Sequence, residues 1–79
     1  MPLDRNVEVN RLGEADRHIA EAERVITGQM IEVERLRCQR RDTSRAEEML
    51  RSFEKSLGVI RENRQNIIKM IEQIDAGLT

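Results

Sequence analysis

A heptad stripe over the second half of the chain constrains its fold more than any other feature. Ala46, Leu50, Phe53, Leu57, Ile60, Arg64, Ile67, Ile71, Ile74 and Leu78 follow one another at alternating steps of four and three. On a helix that spacing puts every one of them on the same side, and only Arg64 is not apolar. A seam this narrow suits packing along another helix and is too slim to anchor a globular core. A second stripe precedes it, built of smaller residues: Leu12, Ala15, Ile19, Ala22, Ile26, Gln29, Val33, Leu36 and Arg40. Charges spaced at i, i+3, such as Glu14–Arg17, Glu21–Arg24 and Glu34–Arg37, suit the solvent face of that first helix.

The two stripes are separated by Arg41-Asp42-Thr43-Ser44. Short polar side chains of this kind bond to nearby backbone N–H groups and favour caps over helix interiors. Ser44-Arg45-Ala46-Glu47 fits a capping box with Ser44 as N-cap, and Asp42 or Thr43 offers an alternative cap. The expected fold class is therefore all-α: two long antiparallel helices over about 10–41 and 44–76. Gly77 is placed to close the second. Asp4, Asn6 and Asn10 are each candidate N-caps for the first. Val7 and Val9 alternate, but a lone short strand would have no partner. Residues 1–9 are expected to form an irregular or frayed arm, and residues 10–79 the hairpin.

A connection of about three residues forces the helices to lie antiparallel. If it centres on Thr43, Val33 falls beside Phe53, Ile26 beside Ile60, Ile19 beside Ile67, Ala15 beside Ile71, Leu12 beside Ile74 and Ala22 beside Arg64. The same register sets Gly28 and Gly58 at one height, a candidate waist.

Seventy-nine residues allow one small domain. Charged residues make up 37% and hydrophobic ones 38%, with Phe53 the sole aromatic, a balance typical of coiled coils. One cysteine cannot form an internal disulfide, so stability must come from helix packing. Val25, Met30, Ile31, Met49, Ile68 and Met70 flank the stripes and widen the apolar face beyond a two-stranded seam. They form a candidate dimer interface, and a homodimer of two hairpins making a four-helix bundle is the expected assembly. Gln29 and Arg64, polar at seam positions, are candidate register determinants, with the Arg64 guanidinium expected to reach Glu21, Glu23 or a partner chain.

The string Asp16-Arg17-His18-Ile19-Ala20-Glu21, with Gln29, Asp42-Thr43, Ala46-Glu47, Leu50, Phe53-Glu54, Leu57 and Arg64, resembles a set of short bacterial helical-hairpin proteins with no assigned function. The likeness covers residues 16–64 and implies a fold and no activity. Where that set carries a glycine before the Asp-Thr turn, this chain has Arg41, which removes the expected glycine cap from the first helix.

The net charge of −1 selects neither nucleic acid nor an anionic membrane as partner. No apolar run approaches the roughly 20 residues of a membrane span, and the N-terminus lacks the apolar core of a secretory signal. A cytoplasmic location follows as the expectation. His18 lacks the glutamate three residues earlier that bundle metal sites use, that position being Ala15. Cys38 has neither a histidine nor a helix N-terminus beside it to activate a thiolate. No catalytic residue, metal ligand or cofactor is expected, so the chain reads as a non-enzyme.

The densest charge lies at the turn. Arg35, Arg37, Arg40, Arg41 and Arg45 face only Asp42 within residues 35–45, a local balance of +4. Part of it suits the C-terminal end of the first helix dipole. The arginines are a candidate interaction patch, for an acidic protein partner or for nucleic acid. With no aromatic near to stack on a base, RNA binding would use helix faces, as plasmid RNA-regulator hairpin dimers do. The sequence thus points first to a self-associating interaction or adaptor module, and second to an RNA-binding hairpin dimer.

Overall fold

The computed structural model describes residues 4–77, and the seam residue Leu78 and residues 1–3 of the expected arm lie outside that range. Two helices, α1 (Arg5–Cys38) and α2 (Ser44–Asp75), form an antiparallel hairpin about 59 Å long and 15–17 Å across.

Helix α1 starts at Arg5 and not at Asn10, so residues 5–9 are helical where an irregular arm was expected. The cause is local. Asp4 adopts an extended backbone and its carboxylate accepts the Asn6 N–H at 2.9 Å, satisfying one of the first-turn donors. The early start extends the seam by one step, to Glu8, which is only 5% exposed. Its carboxylate accepts from the Arg11 Nη1 at 3.2 Å. Arg5 then ties this end of the hairpin to Asp75 of α2 at 2.8 Å.

The turn also differs from expectation. Helix α1 stops at Cys38, two to three residues early, with Gln39 as C-cap and Arg40 in the left-handed region at φ 56°. The Arg41 N–H donates to the Leu36 carbonyl at 2.9 Å and the Arg40 N–H to the Arg37 carbonyl at 3.0 Å. This is a Schellman cap closed by an arginine in the position that usually holds glycine. Across the turn, the Ser44 capping box does not form. Thr43 is the N-cap and its side chain makes no capping bond. Asp42 does that work, accepting from the Ser44 N–H at 3.0 Å and the Ser44 Oγ at 2.8 Å. Glu47 reaches across to Arg37 instead of back to the cap. At the far end, Gly77 follows the C-cap Ala76 with φ 73°, as expected.

An earlier end to α1 moves the centre of the turn from Thr43 to Arg41. Each residue therefore faces a position four earlier on α2 than expected, a shift of about 6 Å at 1.5 Å per residue. The contacts between the helices agree in direction: Asp16 meets Arg64, Glu23 meets Arg61 and Arg37 meets Glu47. A turn centred on Arg41 puts Ala15 near the height of Ile67, and these are the two most buried apolar residues described, at 3% and 4% exposure. Gly28 and Gly58 do not share a height, so the expected waist is absent.

The core is thin. Its buried apolar members are Ala15, Val33, Ala46, Leu57 and Ile67, and no described side chain is fully sealed from solvent. Phe53, the largest seam residue, is only half-buried.

Candidate functional site

The five turn arginines are all exposed, but they are not equivalent. Arg35 lies along Glu32, donating through Nη2 at 2.6 Å and Nε at 2.9 Å, and it also reaches Gln39. This bond holds the Glu32 carboxyl below its ordinary range and raises the Arg35 guanidinium above its own. Arg37 is likewise engaged, with Glu34 at 2.7 Å and Glu47 at 3.2 Å. Arg40, Arg41 and Arg45 make no ion pair with a described residue. The patch therefore offers three free cations at the tip of the hairpin, beside the Asp42 carboxyl. That group is held below its ordinary range by the Ser44 N–H and then by the Ser44 hydroxyl.

The candidate dimer residues divide. Val25, Met30, Ile31 and Met49 are exposed, whereas Ile68 and Met70 are half-buried against the hairpin itself. They also lie on two different sides. Met30 and Ile31 line a shallow groove of about 600 Å³, with Thr27, Val33 and Leu50, next to the Arg37–Glu47 pair. Val25 and Met49 occupy the opposite side. Val59, 63% exposed and apolar, flanks the seam as Met49 does and was not among the candidates, although the same one-residue offset could have found it.

Both polar seam residues make bonds between the helices. The Gln29 Nε2 donates to the Ala46 carbonyl at 2.9 Å. The Arg64 Nε donates to Asp16, and not to Glu21 or Glu23, because the shifted register brings Asp16 within its reach. Glu8 was missed altogether: a charged residue carries no apolar signal, although it continues the four-three spacing back from Leu12.

His18 and Cys38 are exposed. Among the described residues no group of three or more His, Cys, Asp and Glu side chains is arranged to hold a metal ion. No described helix is long and apolar enough to cross a membrane. Comparison of the chain with protein-family models, with curated proteins and with solved structures finds no match. What the chain does is therefore argued from its own residues.

Proposed function

We propose that this chain is a non-enzymatic, self-associating helical hairpin that serves as an interaction or adaptor module, two copies forming a four-helix bundle in the cytoplasm. The observation that carries the reading is surface area. The chain exposes 6174 Å², where a compact folded monomer of 9.2 kDa exposes about 4,900 Å². The excess, roughly 1,200 Å² by the same scaling, is larger than the roughly 800 Å² each partner contributes to a standard interface. A thin core points the same way, since a domain this small without disulfide or metal needs a further source of burial. Sedimentation equilibrium at micromolar concentration tests it. Twice the chain mass is expected, and a well-folded species of about 9 kDa would overturn the reading.

A second reading is favoured by one observation, the three turn arginines that make no ion pair with a described residue. In it the dimer binds structured RNA through the tips of its hairpins. An electrophoretic shift assay at two salt concentrations separates the readings. Phosphate binding by about three cations per hairpin must weaken steeply with salt, and an adaptor shows no shift at either.

A further inference from the structure

One residue before each seam position from Leu50 to Ile71, α2 carries a second stripe, which Arg45 precedes at its N-terminal end. It runs from Met49 through Ser52, Ser56, Val59 and Asn63 to Met70 at steps of three and four, Asn66 dividing the last interval, and it contains no charge. This happens in a helix where 12 of 32 residues are charged. A step of one residue turns the direction by about 100°, so the stripe stands a quarter turn from the seam. In a square four-helix bundle, each helix meets its two neighbours at that angle. Met49 and Val59 are 47% and 63% exposed, so the hairpin leaves about half or more of each uncovered. The equivalent line on α1 is different. It carries Arg11, Glu14, Glu21, Glu32 and Arg35, so of the two helices only α2 offers an uncharged line on this side.

Directly outside the stripe lie Glu48, Lys55, Glu62 and Lys69, seven residues apart and alternating in sign. All are exposed, and none makes an ion pair with a described residue. The pairs that cross between the helices, Asp16–Arg64, Glu23–Arg61 and Arg37–Glu47, sit on the other side of the hairpin.

We propose that a second copy of this chain docks antiparallel along this face of α2, with the two-fold axis passing near Gly58 and Val59. The inference rests on the self-association proposed above and gives it a face and an orientation. Such an axis sets Glu48 against Lys69 of the second copy and Lys55 against Glu62 of the second copy, and symmetry repeats both pairs. Other arrangements are repelled. A parallel in-register pairing faces each charge with itself, and an antiparallel slip of one heptad faces Lys55 with Lys69 and Glu62 with Glu62. The stripe is symmetric about a point one residue further along: methionines stand at its ends, with Ser56 and Asn63 on either side of Val59. Small uncharged side chains there let the two backbones approach closely.

Cysteine cross-linking and charge exchange test the proposal in the full chain, with Cys38→Ser as background. Val59→Cys lies near the axis and is expected to form a disulfide-linked dimer on mild oxidation. Met49→Cys is expected not to, because the antiparallel axis separates its two copies by about 28 Å. Lys55→Glu is expected to weaken the dimer about tenfold in sedimentation equilibrium, since it inverts two pairs at once, and adding Glu62→Lys should restore affinity to within about threefold. Cross-linking of Met49→Cys as readily as Val59→Cys, or a dimer indifferent to charge exchange, would overturn the antiparallel docking. A wild-type chain that is monomeric throughout sinks the self-association reading with it. A wild-type dimer that Val59→Cys fails to cross-link, and that Met30→Glu dissociates, leaves self-association standing and moves it to the opposite groove.

Discussion

Gln29 and Ala46 are joined by a bond from a side-chain amide on α1 to a backbone carbonyl in the first turn of α2, 2.9 Å long. That carbonyl also receives the N–H four residues on within its own helix. Removing the glutamine therefore leaves no buried acceptor unpaired, and the loss is limited to one net hydrogen bond. Gln29→Ala should lower stability by about 0.5–1.5 kcal/mol. Urea denaturation checks it, and a change near zero would show that Gln29 does not hold the two helices together.

Leu57 is 8% exposed and Phe53 half-buried, which reverses the ranking that size alone suggests. Leu57→Ala should cost about 2–4 kcal/mol, and Phe53→Ala less than Leu57→Ala. Thermal melts of the two variants at matched concentration decide it, the opposite order placing the phenyl ring deeper than the hairpin shows.

Arg40 sits at φ 56°, in the left-handed region. Left-handed backbone costs a residue with a Cβ about 1 kcal/mol, and glycine adopts it freely. Arg40→Gly should stabilise the hairpin by about 0.5–1 kcal/mol, the lost favourable cation at the helix end offsetting part of the gain. Arg40→Val should destabilise it. Denaturant midpoints of both variants give the test.

Much of the architecture was legible because periodicity reports it directly. The Ala46–Ile74 stripe marked α2, and Gly77 marked its end. The turn was harder. Its residues announced a break, but several caps could satisfy the same N–H groups, and the competition was won by Asp42 over Ser44 through geometry that no spacing rule encodes. A two-residue displacement of the turn then moved every facing pair by four, so the seam was right and its register was not. Glu8 and Val59 were missed for opposite reasons: one is a charge that the seam buries, the other an apolar residue that the seam leaves out. Legible too was the polar pair Gln29 and Arg64 at the seam, although the partner of Arg64 depended on the register.

Asp42 gives the turn an acid sensitivity. Its carboxyl is held below the ordinary aspartate value of 3.8, first by the Ser44 N–H and then by the Ser44 hydroxyl. A depressed folded value means that the contribution is fully present above the unfolded value and is lost as pH falls through the folded one. Wild type should therefore exceed Asp42→Asn in stability at pH 5–7, and the difference should shrink below about pH 4. Urea denaturation of both proteins from pH 2 to 6 checks the sign. A difference that grows towards low pH would exclude the carboxylate as the source.

Gly28 and Gly58 lie inside helices, where glycine costs about 1 kcal/mol each relative to alanine. With the turn centred on Arg41, Gly28 and Gly58 are offset by about 6 Å along the axis, so no shared level explains them. A Cβ built on either meets nothing within 4 Å, and neither backbone angle is left-handed. Within the hairpin both positions accept alanine without strain. Gly28→Ala with Gly58→Ala should raise stability by about 1–2 kcal/mol, largely by narrowing the unfolded ensemble. The two sites differ in what a second chain would add. Gly58 lies beside the proposed two-fold axis but points away from the uncharged stripe, so its methyl group should leave docking unaffected. Chemical denaturation read at several protein concentrations separates the hairpin's stability from that of the dimer. The expected outcome is a higher midpoint with the same concentration dependence. A weaker dimer in Gly58→Ala alone would mean that the second backbone approaches α2 at that glycine.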